Sequence, residues 1–262
     1  KNKYMVTNLA YKNIASTEAF HLIKDTPAVV IIDIRTTQEF AGNDSSVQNN
    51  TGHLKNAINI PQADFESKFD SYKISNSRPV LIYDQRGINS MDVIYVLRAR
   101  GFTKIYNLFE GFDAFVADHK LDKAMLSQMI IDPAPYNIID SRGCMDLLKQ
   151  PDVVILDARP VEEFNNKARM AYKNLGHIKG AINITSPDSA GMIARTKDKS
   201  SVFLVYGSGS DMAAIICRNL VKDGYQNVNL LNHGLYDFVW STANIEECKS
   251  GRDYLTDHEG LY

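Results

Sequence analysis

Cysteine is scarce in this chain, which has three among its 262 residues: Cys144, Cys217 and Cys248. No two of them form a Cys-x-x-Cys pair, the spacing on which many structural zinc sites are built. The odd number also argues against a framework of paired disulfides. The sequence therefore predicts neither a metal site nor a disulfide scaffold, and it leaves the redox compartment open.

Long apolar runs and an excess of positive charge are also missing. The longest apolar stretches, such as residues 28–32, fall far short of the roughly 18 residues that a membrane-spanning helix needs. The formal net charge is −2 and the lysines are scattered, so no basic surface for phosphates is expected. We therefore predict no membrane span and no nucleic-acid partner. Localisation stays open, because a chain that begins at Lys1 fits the removal of an upstream segment such as an export signal.

The remaining composition is typical of a folded globular protein. Hydrophobic residues make up 44% of the chain and charged residues 23%, which excludes disordered and collagen-like classes. A chain of 262 residues exceeds the usual size of one domain, about 100–200 residues. We expect two domains, each large enough to bury a core of its own.

An internal repeat supports this division. The segment Gly-His-Leu-Lys-Asn-Ala-Ile-Asn-Ile-Pro at residues 52–61 returns at 176–185 with seven of its ten residues identical. The pattern Asp-x-Arg followed by Glu-Phe occurs at residues 33–40 and again at 157–164, also 124 positions later. Two further landmarks recur at an offset of 123: Tyr83 with Tyr206, and Gly111 with Gly234. A nearly constant register over several landmarks indicates a duplicated domain.

Each copy alternates strand-like runs with helical periodicity. The runs are rich in β-branched and aromatic residues and are bounded by turn formers, as buried strands are. They span residues 29–33, 80–83, 105–108, 153–157, 202–206 and 228–231. Apolar spacing of i, i+3, i+4 and i+7 between the second and third runs of each copy predicts a helix with one buried face. Strand, helix and strand in this order predict an α/β fold with parallel sheets.

A break in this periodicity separates the copies. Asp132-Pro-Ala-Pro135 and the residues before it are interpreted as a linker, because proline ends both helices and strands. The predicted organisation is a first domain over residues 1–120, a linker over 121–135 and a second domain over 136–262. Each domain is expected to have a central, mainly parallel sheet flanked by helices.

The ordered motifs resemble the tandem-domain rhodanese family of sulfurtransferases. They are Asp-x-Arg with Glu-Phe, Gly-His-x-Lys-x-Ala-Ile-Asn-Ile, a tyrosine before a loop and a helix, and a closing Leu-x-x-Gly, and together they cover nearly the whole chain twice. The resemblance implies a six-residue loop after the central strand, headed by a cysteine that carries a persulfide between thiosulfate or 3-mercaptopyruvate and an acceptor. Backbone N–H groups at a helix start stabilise such a thiolate.

Neither loop of this chain has a cysteine at that position. The first has Asp84 where the resemblance places the nucleophile, and the second has Gly207. The complete loops are Asp84, Gln85, Arg86, Gly87, Ile88 and Asn89 in the first copy, and Gly207, Ser208, Gly209, Ser210, Asp211 and Met212 in the second. No other side chain carries sulfane sulfur, so the catalytic cysteine is predicted to be absent from both domains, with no catalytic residue evident in its place.

The cysteines elsewhere in the chain are poor substitutes. Cys217 falls on the buried helix face and Cys144 at the position of Phe20 in the first copy, so both are expected to be core residues. Cys248 has no counterpart in the first copy and lies toward the C terminus, where we expect exposure and higher reactivity. It is the candidate for a replacement nucleophile.

Other recurring polar residues are interpreted as structural. His53 and His177 each follow a turn glycine and are expected to form local hydrogen bonds. Buried charges need partners, which predicts an ion pair between strand end and helix in each copy. The expected pairs are Glu39 with Arg35 and Glu163 with Arg159.

The two loops are expected to differ in anion binding. Asp84 would itself fill the ring of N–H groups in the first loop, with Arg86 to screen its charge, so that loop should bind no anion. In the second loop, residues 207–210 at a helix start suit a small anion, whereas Asp211 adds negative charge or caps the helix. A cysteine introduced at position 207 is accordingly expected to ionise more readily than one at position 84.

These observations favour a catalytically silent tandem rhodanese that binds a small anion or a protein partner and uses no cofactor. The polar stretches 43–51 and 165–174 are natural surfaces for a partner. One alternative is sulfur transfer through Cys248 or through a cysteine of another chain. The other is aspartyl-phosphate chemistry at Asp84, although no acidic metal-binding cluster accompanies that residue.

Overall fold

The computed structural model describes residues 11–209 and 211–256. They form two compact units, each of which contains one copy of the repeat. The first comprises the residues up to Ser45 together with Asn49–Pro133, and the second comprises Ser46–Gln48 and the residues from Ala134 onward.

A five-stranded parallel sheet forms the centre of the first unit. The strands of this unit are β1 (Tyr11–Ile14), β2 (Val30–Asp33), β3 (His53–Leu54), β4 (Ile58–Asn59), β5 (Val80–Tyr83), β6 (Ile105–Leu108) and β7 (Ile130–Ile131). The sheet has the order β1-β6-β5-β2-β4, and every neighbouring pair is parallel. Strands β3 and β7 form a separate antiparallel pair. All residues of β2 and β5 are buried, which explains why residues 30–32 and 80–83 are continuous apolar runs in the sequence.

Helices connect the parallel strands of this unit. They are α1 (Ser16–Asp25), α2 (Thr37–Phe40), α3 (Phe65–Lys68), α4 (Ser90–Ala99), α5 (Gly111–Ala117) and α6 (Lys123–Met129). Helix α4 buries the face predicted from its spacing, since Val93, Ile94 and Leu97 are at most 1% exposed. Burial of each such side chain contributes about 1.5–3 kcal/mol, so this face anchors the helix to the sheet.

The second unit repeats the same architecture. Its strands are β8 (Asn137–Ile139), β9 (Val154–Asp157), β10 (His177–Ile178), β11 (Ile182–Asn183), β12 (Val202–Tyr206), β13 (Asn227–Leu231) and β14 (Leu255–Thr256). The parallel sheet has the order β11-β9-β12-β13-β8, the counterpart of the first sheet strand by strand. Strands β10 and β14 pair antiparallel. The predicted α/β fold with two parallel sheets is confirmed.

Five helices and a long 3-10 helix complete the second unit. They are α7 (Ser141–Leu148), α8 (Val161–Phe164), α9 (Pro187–Ala194), α10 (Asp211–Lys222) and α11 (Gly234–Asn244), followed by the 3-10 helix Glu246–Tyr254. None of the helices in the described part of the chain combines the length and hydropathy that a membrane-spanning helix requires.

The segment expected to be a linker is largely folded. Helix α6 and strand β7 lie within residues 121–135, and β7 pairs with β3 of the first unit. The division between the units falls after Pro133. Periodicity did not predict these elements because α6 has one buried residue, Met129, and β7 has two residues.

Candidate functional site

The first loop lies between the central strand β5 and helix α4, and its side chain Asp84 points inward. Asp84 is 3% exposed. Its carboxylate accepts hydrogen bonds from the backbone N–H groups of Arg86, at 3.0 Å, and of Gly87 and Asn89. A carboxylate thus occupies the ring of N–H groups in this loop, in the position that a bound anion or a thiolate would take.

The Arg86 side chain lies near Asp113, whereas the sequence analysis expected it to screen the charge of Asp84. Its guanidinium is half-exposed, and its Nε lies 3.8 Å from Asp113 Oδ2 of helix α5. The main chain of Arg86, rather than its side chain, contacts the Asp84 carboxylate. Backbone N–H groups therefore stabilise the buried charge at position 84.

Glycine is required where the next helix of each unit meets its loop. Gly111 has φ 74°, and a Cβ there would lie 2.6 Å from the backbone nitrogen of Arg86. Gly234 has φ 69°, and a Cβ there would overlap the carbonyl oxygen of Gly207. The repeated Leu-x-x-Gly motif therefore lets the backbone of α5 or α11 lie directly against the loop.

A buried ion pair lies behind each loop, with a partner different from the predicted one. Arg35 donates from Nε and Nη2 to the Asp33 carboxylate and from Nη2 to the Gly52 carbonyl at 2.8 Å. Arg159 contacts Asp157 and Gly176 in the same way. Both arginines and both aspartates are at most 3% exposed.

The glutamates once expected in these pairs have other partners. Glu39 accepts hydrogen bonds from the backbone N–H and the hydroxyl of Thr36, which closes a capping box at α2. Glu163 binds Lys173 at 2.9 Å. The aspartate two residues before each arginine is closer to it, so the predicted pairs Glu39 with Arg35 and Glu163 with Arg159 are wrong.

The repeated histidines have the structural role that was predicted. Nδ1 of His53 lies 3.0 Å from the carbonyl oxygen of Phe40, and the two rings stack with centroids 4.0 Å apart. His177 makes the same contacts with Phe164, at 3.2 Å and 4.1 Å. Each histidine holds the Gly-His turn against the end of the short helix after the Asp-x-Arg motif.

The second loop is shorter and more open than the first. Gly207 is buried at the end of β12, whereas Ser208 and Gly209 are exposed, and Ser210 lies outside the described residues. Asp211 and Met212, predicted as loop residues, instead form the first turn of α10. The Asp211 carboxylate accepts from the Ser46 hydroxyl at 2.9 Å and from the Gln48 backbone N–H at 3.0 Å.

All three cysteines are buried, including the one expected at the surface. Cys144, Cys217 and Cys248 are each 0% exposed, and burial raises the pKa of each thiol. Cys248 lies in the 3-10 helix and belongs to a core cluster with Cys144, Phe238 and Leu255. The expectation that Cys248 is exposed is therefore wrong, because the C-terminal segment packs into the core.

We expect all three thiols to resist modification by a chromogenic disulfide reagent in the native protein. A buried, protonated thiol is neither accessible nor nucleophilic, because thiolate is the reactive form. Counting modified thiols before and after denaturation in urea tests this: we expect none, then three. Fast modification of a single thiol in the native state, abolished in Cys248→Ser, would show that the 3-10 helix opens readily.

Comparison with known proteins agrees with this architecture. The family model described as "Rhodanese-like domain" matches residues 16–118 and 136–239, which is most of the chain. The chain belongs to the rhodanese-like family. The first matched segment contains four of the five strands of its parallel sheet, the second contains all five, and each contains one of the loops described above.

Among the similar proteins is the thiosulfate sulfurtransferase GlpE of Coxiella burnetii, 30% identical over 116 residues, which span 44% of this chain and 97% of that protein. The uncharacterized protein YqhL of Bacillus subtilis is 34% identical over 82 residues, 31% of this chain and 56% of that one. A solved structure, SSP1007 of Staphylococcus saprophyticus, is 25% identical over 40% of this chain and 92% of its own, with a TM-score of 0.33.

Sequence reasoning missed the polar network that connects the first loop to its ion pair. Gln85 accepts from Arg35 Nη1 at 2.8 Å and donates to Asp113. Alignment of the two copies could have pointed to this network, since Gln85 and Asp113 correspond to Ser208 and Tyr236 in the second copy. A difference between copies at two polar positions beside one loop indicates that the loops have different chemistry.

Proposed function

We propose that this rhodanese-like protein is catalytically silent in sulfur transfer and acts as a binding or regulatory module for a small anion or a protein partner. A persulfide carrier needs a thiolate at a loop that stabilises negative charge. The residues at the two loop heads are Asp84 and Gly207, neither of which carries sulfur. The chain has the fold and the loop of the family, but the absence of a thiol at both loop heads argues against sulfur transfer through a persulfide.

The observation that carries this proposal is the carboxylate in the first loop. Asp84 accepts three backbone hydrogen bonds, so the N–H groups that would hold a thiolate or a substrate anion are already satisfied. The same contacts speak against aspartyl-phosphate chemistry, because both carboxylate oxygens are engaged and a hydrogen-bonded oxygen is a weaker nucleophile. An anion is therefore expected at the second loop rather than at the first.

The burial of the three cysteines also supports the proposed lack of sulfur-transfer activity. Sulfur transfer through Cys248 would require a thiol that reaches a donor, and Cys248 is buried in the core with a raised pKa. Cys144 and Cys217 are buried to the same extent. Sulfur transfer by this protein would then need a thiol from a cysteine of another chain.

We expect purified protein to transfer no sulfur from thiosulfate or 3-mercaptopyruvate to cyanide above the rate without protein. Thiocyanate formation measures the reaction directly, and Cys248→Ser is the matched variant, expected to be indistinguishable from wild type. Robust turnover that disappears in Cys248→Ser would overturn the proposed silence and identify the replacement nucleophile. Turnover that persists in that variant would also overturn it and point to another thiol.

A further inference from the structure

A short segment of the chain covers the start of helix α10 in the second unit. The Ser46 hydroxyl and the Gln48 backbone N–H donate to the Asp211 carboxylate, at 2.9 Å and 3.0 Å. The side chain between them, Val47, packs against the core of the second unit. All three residues of the segment are half-buried, and their contacts assign them to this unit. Residues 46–48 are therefore a docked segment with a polar contact to Asp211.

The repeat defines the counterpart of this contact. Residues 46–48 correspond to residues 170–172 at the offset of 124, and Asp211 corresponds to Ile88 at the offset of 123. A 3-10 helix begins at the second residue of each segment, so the two segments agree in backbone conformation as well as in position. A contact equivalent to the one in the second unit would join residues 170–172 to Ile88 and to helix α4, which follows it.

Both sides of this counterpart are apolar. Met170 and Tyr172 replace a serine and a glutamine, and Ile88 replaces an aspartate. The Tyr172 hydroxyl lies 3.1 Å from Met170 Sδ, so the two side chains form one surface. A change on one side alone would set a carboxylate against apolar side chains, which is costly because a buried charge needs a partner. The character of both sides changes together, as expected of two surfaces that bind each other.

The apolar surfaces are exposed within one chain. Met170 is 53% exposed, Tyr172 61% and Ile88 73%. Met91 and Tyr95 lie four residues apart on the outer side of α4, just after Ile88, and are 36% and 60% exposed. We call Ile88, Met91 and Tyr95 the α4 patch. Neighbouring exposed apolar side chains usually mark an interaction site, whereas single ones need no explanation.

The corresponding side of α10 is covered. Met91 corresponds to Ala214, which is 1% exposed, and Tyr95 corresponds to Arg218, which is half-buried. The Arg218 guanidinium lies over the ring of Tyr136, 5.8 Å from its centroid. This side of the helix is thus a packing surface in the second unit, and its exposure in the first unit leaves it open to a partner.

We infer that the α4 patch binds the segment Met170–Tyr172 of a second copy of this chain. The docked segment 46–48 lies in the copy of the repeat that does not contain α10, so the counterpart helix for Met170–Tyr172 is α4. Because both surfaces are exposed within one chain, a second molecule supplies the contact. Burial of apolar surface drives such association, and methionine and tyrosine are enriched at protein interfaces. The association goes beyond the proposed function and does not depend on it, since sulfur transfer is decided by the thiocyanate assay.

Self-association is measured by sedimentation equilibrium of the full chain over micromolar to millimolar concentrations. We expect the average mass to rise with concentration above the 29.4 kDa of one chain. Ile88→Asp, and the double variant Met170→Ser with Tyr172→Gln, should each raise the dissociation constant about tenfold or more, because apolar contacts are lost. These substitutions introduce the residues of the corresponding positions at exposed sites, so the fold should be retained, which circular dichroism checks.

A matched control and a mixing experiment make the test specific. Met192→Ser removes a methionine that is 69% exposed on α9, outside both surfaces, and should leave the dissociation constant within about twofold of wild type. The Ile88→Asp chain keeps its segment and the double variant keeps its patch, so a mixture of the two should associate more tightly than either alone. A single-chain mass for wild type at every concentration, unchanged association in either variant, equal weakening in Met192→Ser, or a mixture no heavier than its components would overturn the inference.

Discussion

Replacing Arg35 by methionine should lower the free energy of unfolding of the first unit by about 3–5 kcal/mol, the usual cost of leaving a buried charge without its partner. Asp33 is fully buried and receives its side-chain hydrogen bonds from Arg35. The variant also loses the bonds from Arg35 to the Gly52 carbonyl and to Gln85. Urea unfolding followed by circular dichroism measures the change.

The second copy provides a matched control. Arg159→Met removes the same ion pair from the second unit but one hydrogen bond fewer, so its cost should be smaller by about 1 kcal/mol. Adding Asp33→Asn to Arg35→Met should restore part of the loss, because the uncompensated charge is then gone. A cost for Arg35→Met below about 0.5 kcal/mol, typical of surface substitutions, would contradict a stabilising role for the pair.

A cysteine in place of Asp84 should have a pKa about 1–2 units below the ordinary thiol value of about 8.5. The backbone N–H groups of Arg86, Gly87 and Asn89 converge on this side chain and would stabilise a thiolate as they do the carboxylate. Ultraviolet thiolate absorbance gives the titration. The native cysteines should not interfere, because burial raises the pKa of each.

Gly207→Cys is the control, and we now expect it to have the higher pKa of the two. This order reverses the expectation from sequence, because three backbone N–H groups converge on the side chain at position 84, whereas Gly207 lies buried at the end of β12, where burial disfavours a thiolate. Titration of Asp84→Cys at or above about 8.5 would mean that the first loop does not stabilise negative charge. A lower pKa for Gly207→Cys than for Asp84→Cys would instead agree with the order expected from the sequence.

Local patterns in the sequence were sufficient for the fold class and for the central elements. The buried strand over Val202–Tyr206 was predicted to the residue, and the helix face of Val93, Ile94 and Leu97 is buried as its spacing indicates. Both follow from periodicity, which depends only on neighbours in the chain. The outer strands β1 and β8 were missed because their residues are mostly half-buried or exposed and form no apolar run.

Contacts between distant segments could not be predicted in this way. The sequence alone placed Cys248 in an exposed tail, whereas packing of the C-terminal 3-10 helix puts it in the core. Spacing also predicted the wrong partner for each buried arginine, because an aspartate two residues before it and a glutamate four residues after it are both close in the chain. The backbone geometry at the end of the strand selects the aspartate.

The duplicated α/β domain and the absence of cysteine from both loop heads can be read from the chain, because repeats and residue identities are properties of the sequence. The binding of the Asp84 carboxylate by its own loop, and the amide partner that Arg35 has and Arg159 lacks, are visible only in the folded protein. The reason is that hydrogen bonds are directional and short. Arg35 and Gln85 are 50 positions apart, and only the folding of β2 beside β5 brings their atoms within 2.8 Å.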